Sequence, residues 1–394
     1  MRLMRPTLTL CAAAVAALAA PRAAAAQERG AFIVRLGRDT TAVESFIRTA
    51  TRIEEEVAVH APRAGFRRYV TTLGEGGVSR LEITSWRPGE PTTATPNVRA
   101  TYTFVADSVI QEVRRDTSSQ TQRIRLGRGI VPMVPPSAWQ WLEVAIGRAL
   151  RQGGDSVRFR AWYAGGGAED SSFLDIRRIA RDSVTITNRY DSWRASVDRE
   201  GRILGSVPIA GTEQFSLERL PGADVAAIGN GWIARERQGG AMGQLSTRDT
   251  VRASAGGAAL WIDYGRPSRR GRVIYGGVVP WGLVWRTGAN QATQLRTDKA
   301  LEMGGVVVPA GFYTLWTLPT PAGWRLIINS ETGQWGTDRR PERDILLFDM
   351  RTSTLPQSVE RFTISIEPSA QGGVLNLDWD TTRASIPFTV RQER

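Results

Sequence analysis

Residues 362–379 read FTISIEPSAQGGVLNLDW, and this stretch decides the fold class. Apolar residues stand at every second position on both sides of its Gly-Gly pair, namely Phe362, Ile364, Ile366, Leu375, Leu377 and Trp379. A period of two, with a turn between the two runs, is typical of half-buried antiparallel strands. The stretch therefore predicts a β-hairpin that buries one of its faces.

The same alternation recurs along most of the chain, for example over residues 324–328. Residues 137–152 have helical periodicity instead, with Ser137 as the predicted N-cap and Gln140 completing a capping box. The predicted fold class is mainly β. We expect an N-terminal antiparallel curved sheet or half-barrel with this one helix, followed by a C-terminal sandwich or barrel of short strands.

A polar, Gly-rich stretch divides the chain. It reads RERQGGAMGQLSTRD over residues 235–249 and has no hydrophobic period, which favours a linker. We predict an N-terminal domain at 28–235, a linker at 236–244 and a C-terminal domain at 245–394.

The first 26 residues have the pattern of a cleavable secretory signal. Arg2 and Arg5 precede a short apolar run, and residues 24–26 form a small-residue cleavage site that leaves Gln27 first. The apolar run is too short to span a bilayer, and no transmembrane segment is predicted elsewhere. The predicted location is therefore periplasmic or secreted.

Composition excludes several kinds of chemistry. Cys11 lies inside the predicted signal and is the only cysteine, so the mature chain forms no disulfide or thiolate metal site. Loss of Arg2, Arg5 and Arg22 with the signal lowers the formal charge from +12 to +9. The remaining arginines are dispersed without a basic stripe, which argues against nucleic-acid binding. We predict no metal and no cofactor.

Long motifs in residues 245–394 carry a family resemblance. They are YGRPSRRGR at 264–272, GGVVPWGLVWRTGANQAT at 276–293, PAGFYTLWTLP at 309–319, IINSETGQWG at 327–336 and LNLDWDTTRASIPF at 375–388. With these motifs the sequence closely resembles the domain-of-unknown-function 2911 family (DUF2911) of bacterial exported proteins. The resemblance implies a jelly-roll-like β-sandwich and carries over no catalytic residue. The N-terminal domain is loosely similar, in architecture alone, to LolA/LolB-type half-barrels.

One cluster in the C-terminal domain has the chemistry of a binding site. Its candidate binding residues are Arg272, Trp281, Trp285, Arg286, Asn290 and Trp335. Indole faces stack on sugar rings, and arginine and asparagine bind hydroxyl, carboxylate or phosphate groups. We therefore predict a carbohydrate or small anionic ligand. In the competing interpretation, the tryptophans fill the core and the Arg–Asn pair ties a loop to backbone carbonyls.

Three functions remain open from the sequence. The leading hypothesis is a non-catalytic binding or structural module of the cell envelope. The first alternative is a carboxylate-dependent hydrolase acting on glycans, which requires two carboxylates facing each other across a cleft. The second is a lipid or acyl-chain carrier, which requires an apolar cavity beneath the helix at 137–152. No catalytic residue is assigned, and the oligomeric state stays open.

Overall fold

The computed structural model describes residues 27–391 except 136, 190, 212 and 213. The predicted signal at 1–26 lies outside the described residues. Strands make up 60% of the chain and helices 9%, so the predicted mainly β class is confirmed. None of the helices in the described part of the chain is long and apolar enough to cross a membrane.

The first 15 strands form one sheet, the N-terminal sheet. Their bounds are β1 Glu28–Leu36, β2 Asp39–Arg48, β3 Arg52–Val59, β4 Gly65–Gly74, β5 Gly77–Ser85, β6 Val98–Val105, β7 Ser108–Arg115, β8 Ser118–Arg125, β9 Val131–Met133, β10 Ser156–Tyr163, β11 Ser171–Ala180, β12 Ser183–Asn188, β13 Asp191–Val197, β14 Ile203–Gly211 and β15 Phe215–Leu220. They pair in the order β8 to β1 and then β15 to β9, and β9–β10 is the parallel pair.

The N-terminal sheet is strongly curved but open. Among the described residues, its end strands β8 and β9 form no ladder with each other. Even so, Arg160 on β10 donates to the carbonyl of Leu126, just beyond β8, at 3.2 Å. Trp162 on β10 also meets Tyr102 on β6 edge to face, with ring centroids 5.6 Å apart. The two ends of the sheet therefore approach each other across a shared core.

Helix α1 spans Gln140–Gln152 and begins three residues later than predicted. Ser137 forms no capping box, because its hydroxyl accepts a hydrogen bond from Arg67 instead. The N-cap is Trp139, whose backbone N–H donates to the Glu44 carboxylate at 2.7 Å. A side chain from β2 thus satisfies the helix terminus, and the local cap is not needed.

A second helix, α2, spans Val225–Arg237, so the prediction of one helix was wrong. Asp224 caps it by accepting from the backbone of Ala227 at 2.9 Å. Gly229 lowers the intrinsic helix propensity. However, a Cβ there would overlap the ring of Phe66, so the glycine permits close packing of α2 on the sheet.

The remaining nine strands form the C-terminal sheet. Their bounds are β16 Ser246–Ala255, β17 Ala258–Pro267, β18 Thr293–Thr297, β19 Leu301–Met303, β20 Val306–Val308, β21 Gly311–Thr320, β22 Gly323–Asn329, β23 Asp344–Pro368 and β24 Gly372–Val390. Two short 3₁₀ helices span Ala168–Asp170 and Pro341–Arg343.

Strand β23 connects two layers of the C-terminal sheet. Its first part pairs with β22 and its last part with β24, in register with Ile364 opposite Leu377. The hairpin predicted at 362–379 is therefore confirmed. Phe362 and Trp379 are fully buried and belong to one core cluster with Leu260 from β17, so the two layers enclose a common core.

The two sheets meet at the turn between β1 and β2. Asp39 forms an ion pair with Arg270 at 2.5 Å, and the backbone N–H of Arg38 donates to the Arg270 carbonyl at 3.1 Å. A second ion pair joins Arg189 to Asp338 at 3.1 Å. Residues 238–245 connect α2 to β16 without helix or strand. The domain limits stay a prediction, although α2 runs into the predicted linker.

Candidate functional site

A cavity of about 420 Å³ lies where the two sheets meet, and we call it the junction cavity. Leu36, Gln214 and Phe215 line it from the N-terminal sheet and the loop before β15. The opposite wall comes from the C-terminal sheet and its loops, and it includes Arg272, Trp285, Arg286, Asn290, Trp335 and Trp379.

Five of the six residues proposed from the sequence lie in this wall: Arg272, Trp285, Arg286, Asn290 and Trp335. The sixth, Trp281, is not part of the lining; its ring packs beside that of Tyr275, with centroids 5.8 Å apart. The structure therefore brings five of these side chains together. That they bind a ligand stays a prediction.

Trp285 serves both the core and the cavity. Its backbone forms an isolated bridge to Thr317, with N–O distances of 2.7 and 2.9 Å. The indole is 9% exposed and stacks on Trp379 with centroids 5.8 Å apart and planes 17° apart. Both interpretations of this tryptophan thus apply, since a core side chain also forms the cavity wall.

Trp335 presents a more open indole, at 39% exposure. An isolated bridge pairs it with Gln291, and the backbone N–H of Gly336 donates to the Asn290 carbonyl at 2.9 Å. These bonds hold the loop after Arg286 against the loop that carries Trp335. An accessible indole therefore lies beside a guanidinium and a carboxamide.

Arg286 is the most unusual group in the wall. Its Nε is buried and has no hydrogen-bond partner within the described residues. Burial lowers the pKa of Arg286 to about 10, and the nearby charge of Asp191 opposes that shift. The side chain remains a cation at neutral pH. A buried donor without an acceptor is rare, because its desolvation is not compensated.

Glycine makes room for this arginine. A Cβ at Gly336 would overlap the Cδ of Arg286, so a larger residue would displace the guanidinium stem. The stem is therefore held between the two loops, which fixes the position of the charged group.

The loop after Arg286 is conformationally strained. Thr287 has φ 53° and Asn290 has φ 63°, both in the left-handed region. For a β-branched residue such as Thr287 this conformation is an outlier that costs free energy. Thr287 is fully buried, and Thr293 donates to its carbonyl at 2.7 Å. Buried hydrogen bonds thus hold an unfavourable backbone that places Arg286 and Asn290.

Arg272 differs from Arg286. Its Nε donates to the carbonyl of Arg269 at 3.1 Å, and its NH2 to that of Ser268 at 2.6 Å. Burial lowers the pKa of Arg272 to about 10, with a further contribution from Arg270. For this arginine the geometry supports the competing interpretation, in which the side chain ties a loop to backbone carbonyls.

Sequence reasoning missed five polar or aromatic wall residues: Gln214, Phe215, Gln244, Ser246 and Trp379. The sequence alternation predicts Trp379 on the buried face of its strand, and this prediction is confirmed. The end of that face opens into the cavity. The two glutamines lie in segments without periodicity, and no pattern in the sequence distinguishes them from other loop residues.

The carboxylates that the hydrolase hypothesis needs lie elsewhere. Asp378 accepts two hydrogen bonds from Arg383, at 2.8 and 2.7 Å, and Asp380 accepts one from Ser358 at 2.8 Å. The described residues of the junction cavity include no Asp or Glu. Within the described part of the chain, no group of three or more His, Cys, Asp or Glu is placed to hold a metal ion.

The inner face of α1 is packed into the core. Leu142, Ala145 and Ile146 are at most 1% exposed and join the main cluster of the N-terminal sheet. This packing favours a structural role for the helix over the acyl-chain cavity that the carrier hypothesis requires.

Comparisons with known proteins add a family for one part of the chain. No curated protein matches the sequence. A crystal structure of a "beta-barrel-like protein of domain of unknown function DUF1849" from Brucella abortus shares 12% identity, covering 49% of this chain and 94% of the other. Its TM-score of 0.31 is too low to support any statement about this protein. Residues 246–388 match the family model "Protein of unknown function (DUF2911)". The C-terminal part of the chain is therefore a DUF2911 domain, and no family model matches the N-terminal part.

Proposed function

We propose that this protein is a non-catalytic binding module whose junction cavity takes a small ligand with an anionic group and a flat apolar face. One observation carries the proposal: Arg286 lines the cavity with a buried Nε that has no acceptor within the described residues. A carboxylate or phosphate would supply that acceptor and add a charge-assisted hydrogen bond.

The neighbouring side chains define the rest of the ligand. The exposed indole of Trp335 offers a face on which sugar C–H groups stack, and the Asn290 carboxamide can bond to hydroxyl groups. The cavity volume of about 420 Å³ is within the usual range for small-molecule sites. An acidic monosaccharide combines both features, so uronic acids are the class we favour.

The proposal includes export to the periplasm or the medium. The signal-like pattern of residues 1–26 supports this part, and envelope polysaccharides are a source of acidic sugars in that compartment.

The direct experiment is a thermal-shift and calorimetric titration of the mature protein with glucuronate, glucose and acetate. Glucuronate should raise the melting temperature by mass action, while glucose and acetate, which each supply half of the interactions, should raise it less. Equal responses to all three compounds, or none, would count against the proposal.

Substitutions in the cavity wall test whether glucuronate binds in the junction cavity. Arg286→Gln should abolish the preference for glucuronate over glucose. Asn290→Gly removes the carboxamide but keeps a residue that tolerates φ 63°, so it should weaken binding without unfolding the loop. Trp281→Ala is the matched control, because Trp281 lies on the same loop but outside the lining. Weaker binding by this control alone would place the site elsewhere.

A further inference from the structure

A second concave site, separate from the junction cavity, lies beside α1 on the N-terminal sheet. Its volume is about 320 Å³, and it is lined by the β2–β3 turn, the β4–β5 turn and one face of α1. Four guanidinium groups line it, from Arg48, Arg148, Arg151 and Arg202. We call it the arginine cleft.

The cleft has an excess of positive charge. Glu75 and Glu143 are the two carboxylates among its described lining residues, against the four arginines. Glu143 is already shared, because one oxygen lies 3.1 Å from Arg48 and the other 2.6 Å from Arg219, outside the cleft. Arg202 is also paired, with Glu28 at 2.7 Å outside the lining. The uncompensated positive charge of the cleft therefore lies on Arg148 and Arg151.

Arg148 and Arg151 contribute most of this excess. They stand one turn apart on α1, and neither has a carboxylate within ion-pair distance in the described part of the chain. The Arg148 guanidinium lies 4.7 Å from the ring centroid of Phe159 and donates long bonds of 3.4 and 3.5 Å to the Gly129 carbonyl. Burial, and then the charge of Arg151, lowers the pKa of Arg148. An anion between the two would remove this repulsion.

Arg48 gives separate support for an anion in the cleft, because one of its donors has no acceptor. Its side chain is 5% exposed, and its Nε is buried without a hydrogen-bond partner among the described residues. The other two nitrogens are engaged, NH1 with Glu143 and NH2 with Gln140 at 2.5 Å. The unused donor belongs to a side chain of the cleft wall, where an acceptor would satisfy it.

The helix dipole accounts for only part of the arrangement. A cation in the last turn of a helix is stabilised by the dipole, which explains Arg151. It does not explain Arg48, which comes from β2. Arg202 precedes β14 and is placed by its ion pair with Glu28. Guanidinium groups from three separate elements therefore line one concave surface, and two of them, Arg148 and Arg151, have no carboxylate partner in the described part of the chain.

We propose that the arginine cleft binds a phosphate group. Guanidinium groups donate paired N–H bonds to phosphate oxygens, and several of them around one concave surface match the charge and the number of acceptors of that group. The phosphate belongs to a soluble phosphorylated molecule or to a lipid headgroup, and both sources present the same chemistry to the cleft.

The first test titrates the mature protein with inorganic phosphate and with pyrophosphate by calorimetry at constant ionic strength. The native protein should bind, and Arg148→Gln/Arg151→Gln should lose at least tenfold in affinity. The control Arg177→Gln/Arg178→Gln removes the same charge from exposed positions on β11, outside the cleft lining, and should bind as the native protein does. No binding by the native protein, or equal loss in both variants, overturns the proposal.

The second test separates the two sources of phosphate. Vesicles of phosphatidylcholine with and without phosphatidylglycerol are sedimented with each variant. Capture by the anionic vesicles that only the cleft variant loses assigns the cleft to a lipid headgroup. Capture lost equally in both variants reflects overall charge and counts against the cleft. The double variant Arg148→Lys/Arg151→Lys keeps the charge and excludes misfolding as the cause of any loss.

Discussion

The indole of Trp285 lies nearly parallel to that of Trp379, with ring centroids 5.8 Å apart and planes 17° apart. Trp285 also meets Phe362 edge to face at 5.0 Å. Since Trp379 and Phe362 are fully buried, this stack connects the junction cavity to the centre of the C-terminal core. This part of the cavity wall is therefore continuous with the packed core behind it.

Because of this stack, alanine substitution of the two tryptophans on this loop should lower the free energy of unfolding by different amounts. Trp285→Ala should lower the free energy of unfolding by about 3–5 kcal/mol, the range for loss of a large buried side chain. Trp281 is 40% exposed, so Trp281→Ala should cost about 1 kcal/mol or less. Chemical denaturation of both variants is the measurement. Similar losses for the two would show that the stack does not stabilise the loop.

Part of this site could be predicted from the sequence. The residues 281–290 are close in sequence, so the proximity of Trp285, Arg286 and Asn290 is a local property. Trp335 joins them through its bridge to Gln291, a long-range contact that periodicity does not encode. The contribution of Gln214 depends on how the two sheets meet, and no local pattern specifies that arrangement.

Two glycines of α2 provide a matched test of helix packing. Gly229→Ala should destabilise the protein, because the new Cβ would overlap the Phe66 ring. A Cβ at Gly231 would meet no atom within 4 Å. Gly231→Ala should therefore stabilise the protein by about 0.5–1 kcal/mol, because alanine has the higher helix propensity. Thermal melts of the two variants decide the matter. A gain in stability from both would mean that α2 does not pack closely on the sheet.

The composition of α2 explains why this helix was not predicted from the sequence. Gly229 and Gly231 within the segment lower its helix propensity, and the amphipathic signal is weak. Helix α1 begins later than its sequence predicts, for a different reason. Its cap comes from Glu44, 95 residues away in the sequence, so the local Ser137 capping box had no physical need to form.

The contact between the two sheets predicts a junction variant. A Cβ at Gly37, where φ is 60°, would overlap the backbone oxygen of Arg270. Gly37→Ala should therefore separate the sheets and increase proteolysis within residues 238–245. Gly89→Ala is the control, since its φ of 83° imposes similar backbone strain but its Cβ would meet no atom within 4 Å. Equal proteolysis of both variants would mean that backbone strain, and not loss of the contact between the sheets, causes the cleavage.

The signal pattern predicts a processed N-terminus. Expressed in a Gram-negative bacterium, the protein should be found in the periplasm or the medium and begin at Gln27. Ala24→Arg with Ala26→Arg should block cleavage and leave a longer, membrane-associated form. N-terminal sequencing and cell fractionation are the measurements. An uncleaved native chain in the cytoplasm would contradict both export and the envelope role.

The carboxyl groups beneath α1 predict a stability that depends on pH. Burial, together with the charge of Glu55, raises the pKa of Glu44 well above its usual value. Burial raises the pKa of Glu55 to about 7, against the opposing charge of Arg48. Both carboxyl groups are buried, so the folded protein retains protons that the unfolded chain releases.

The raised pKa values determine whether the free energy of unfolding rises or falls with pH. Between the usual glutamate pKa near 4.3 and the folded value near 7, the folded state binds more protons, so the free energy of unfolding falls as pH rises. The stabilisation from Glu55 is present in full at low pH and is lost as the pH rises through about 7. Denaturation curves from pH 4.5 to 8 should show this fall, and Glu55→Gln should flatten it. Glu56→Gln, at an exposed position on the same strand, should keep the native slope. If Glu55→Gln left the slope unchanged, the pH dependence would have to arise from other groups.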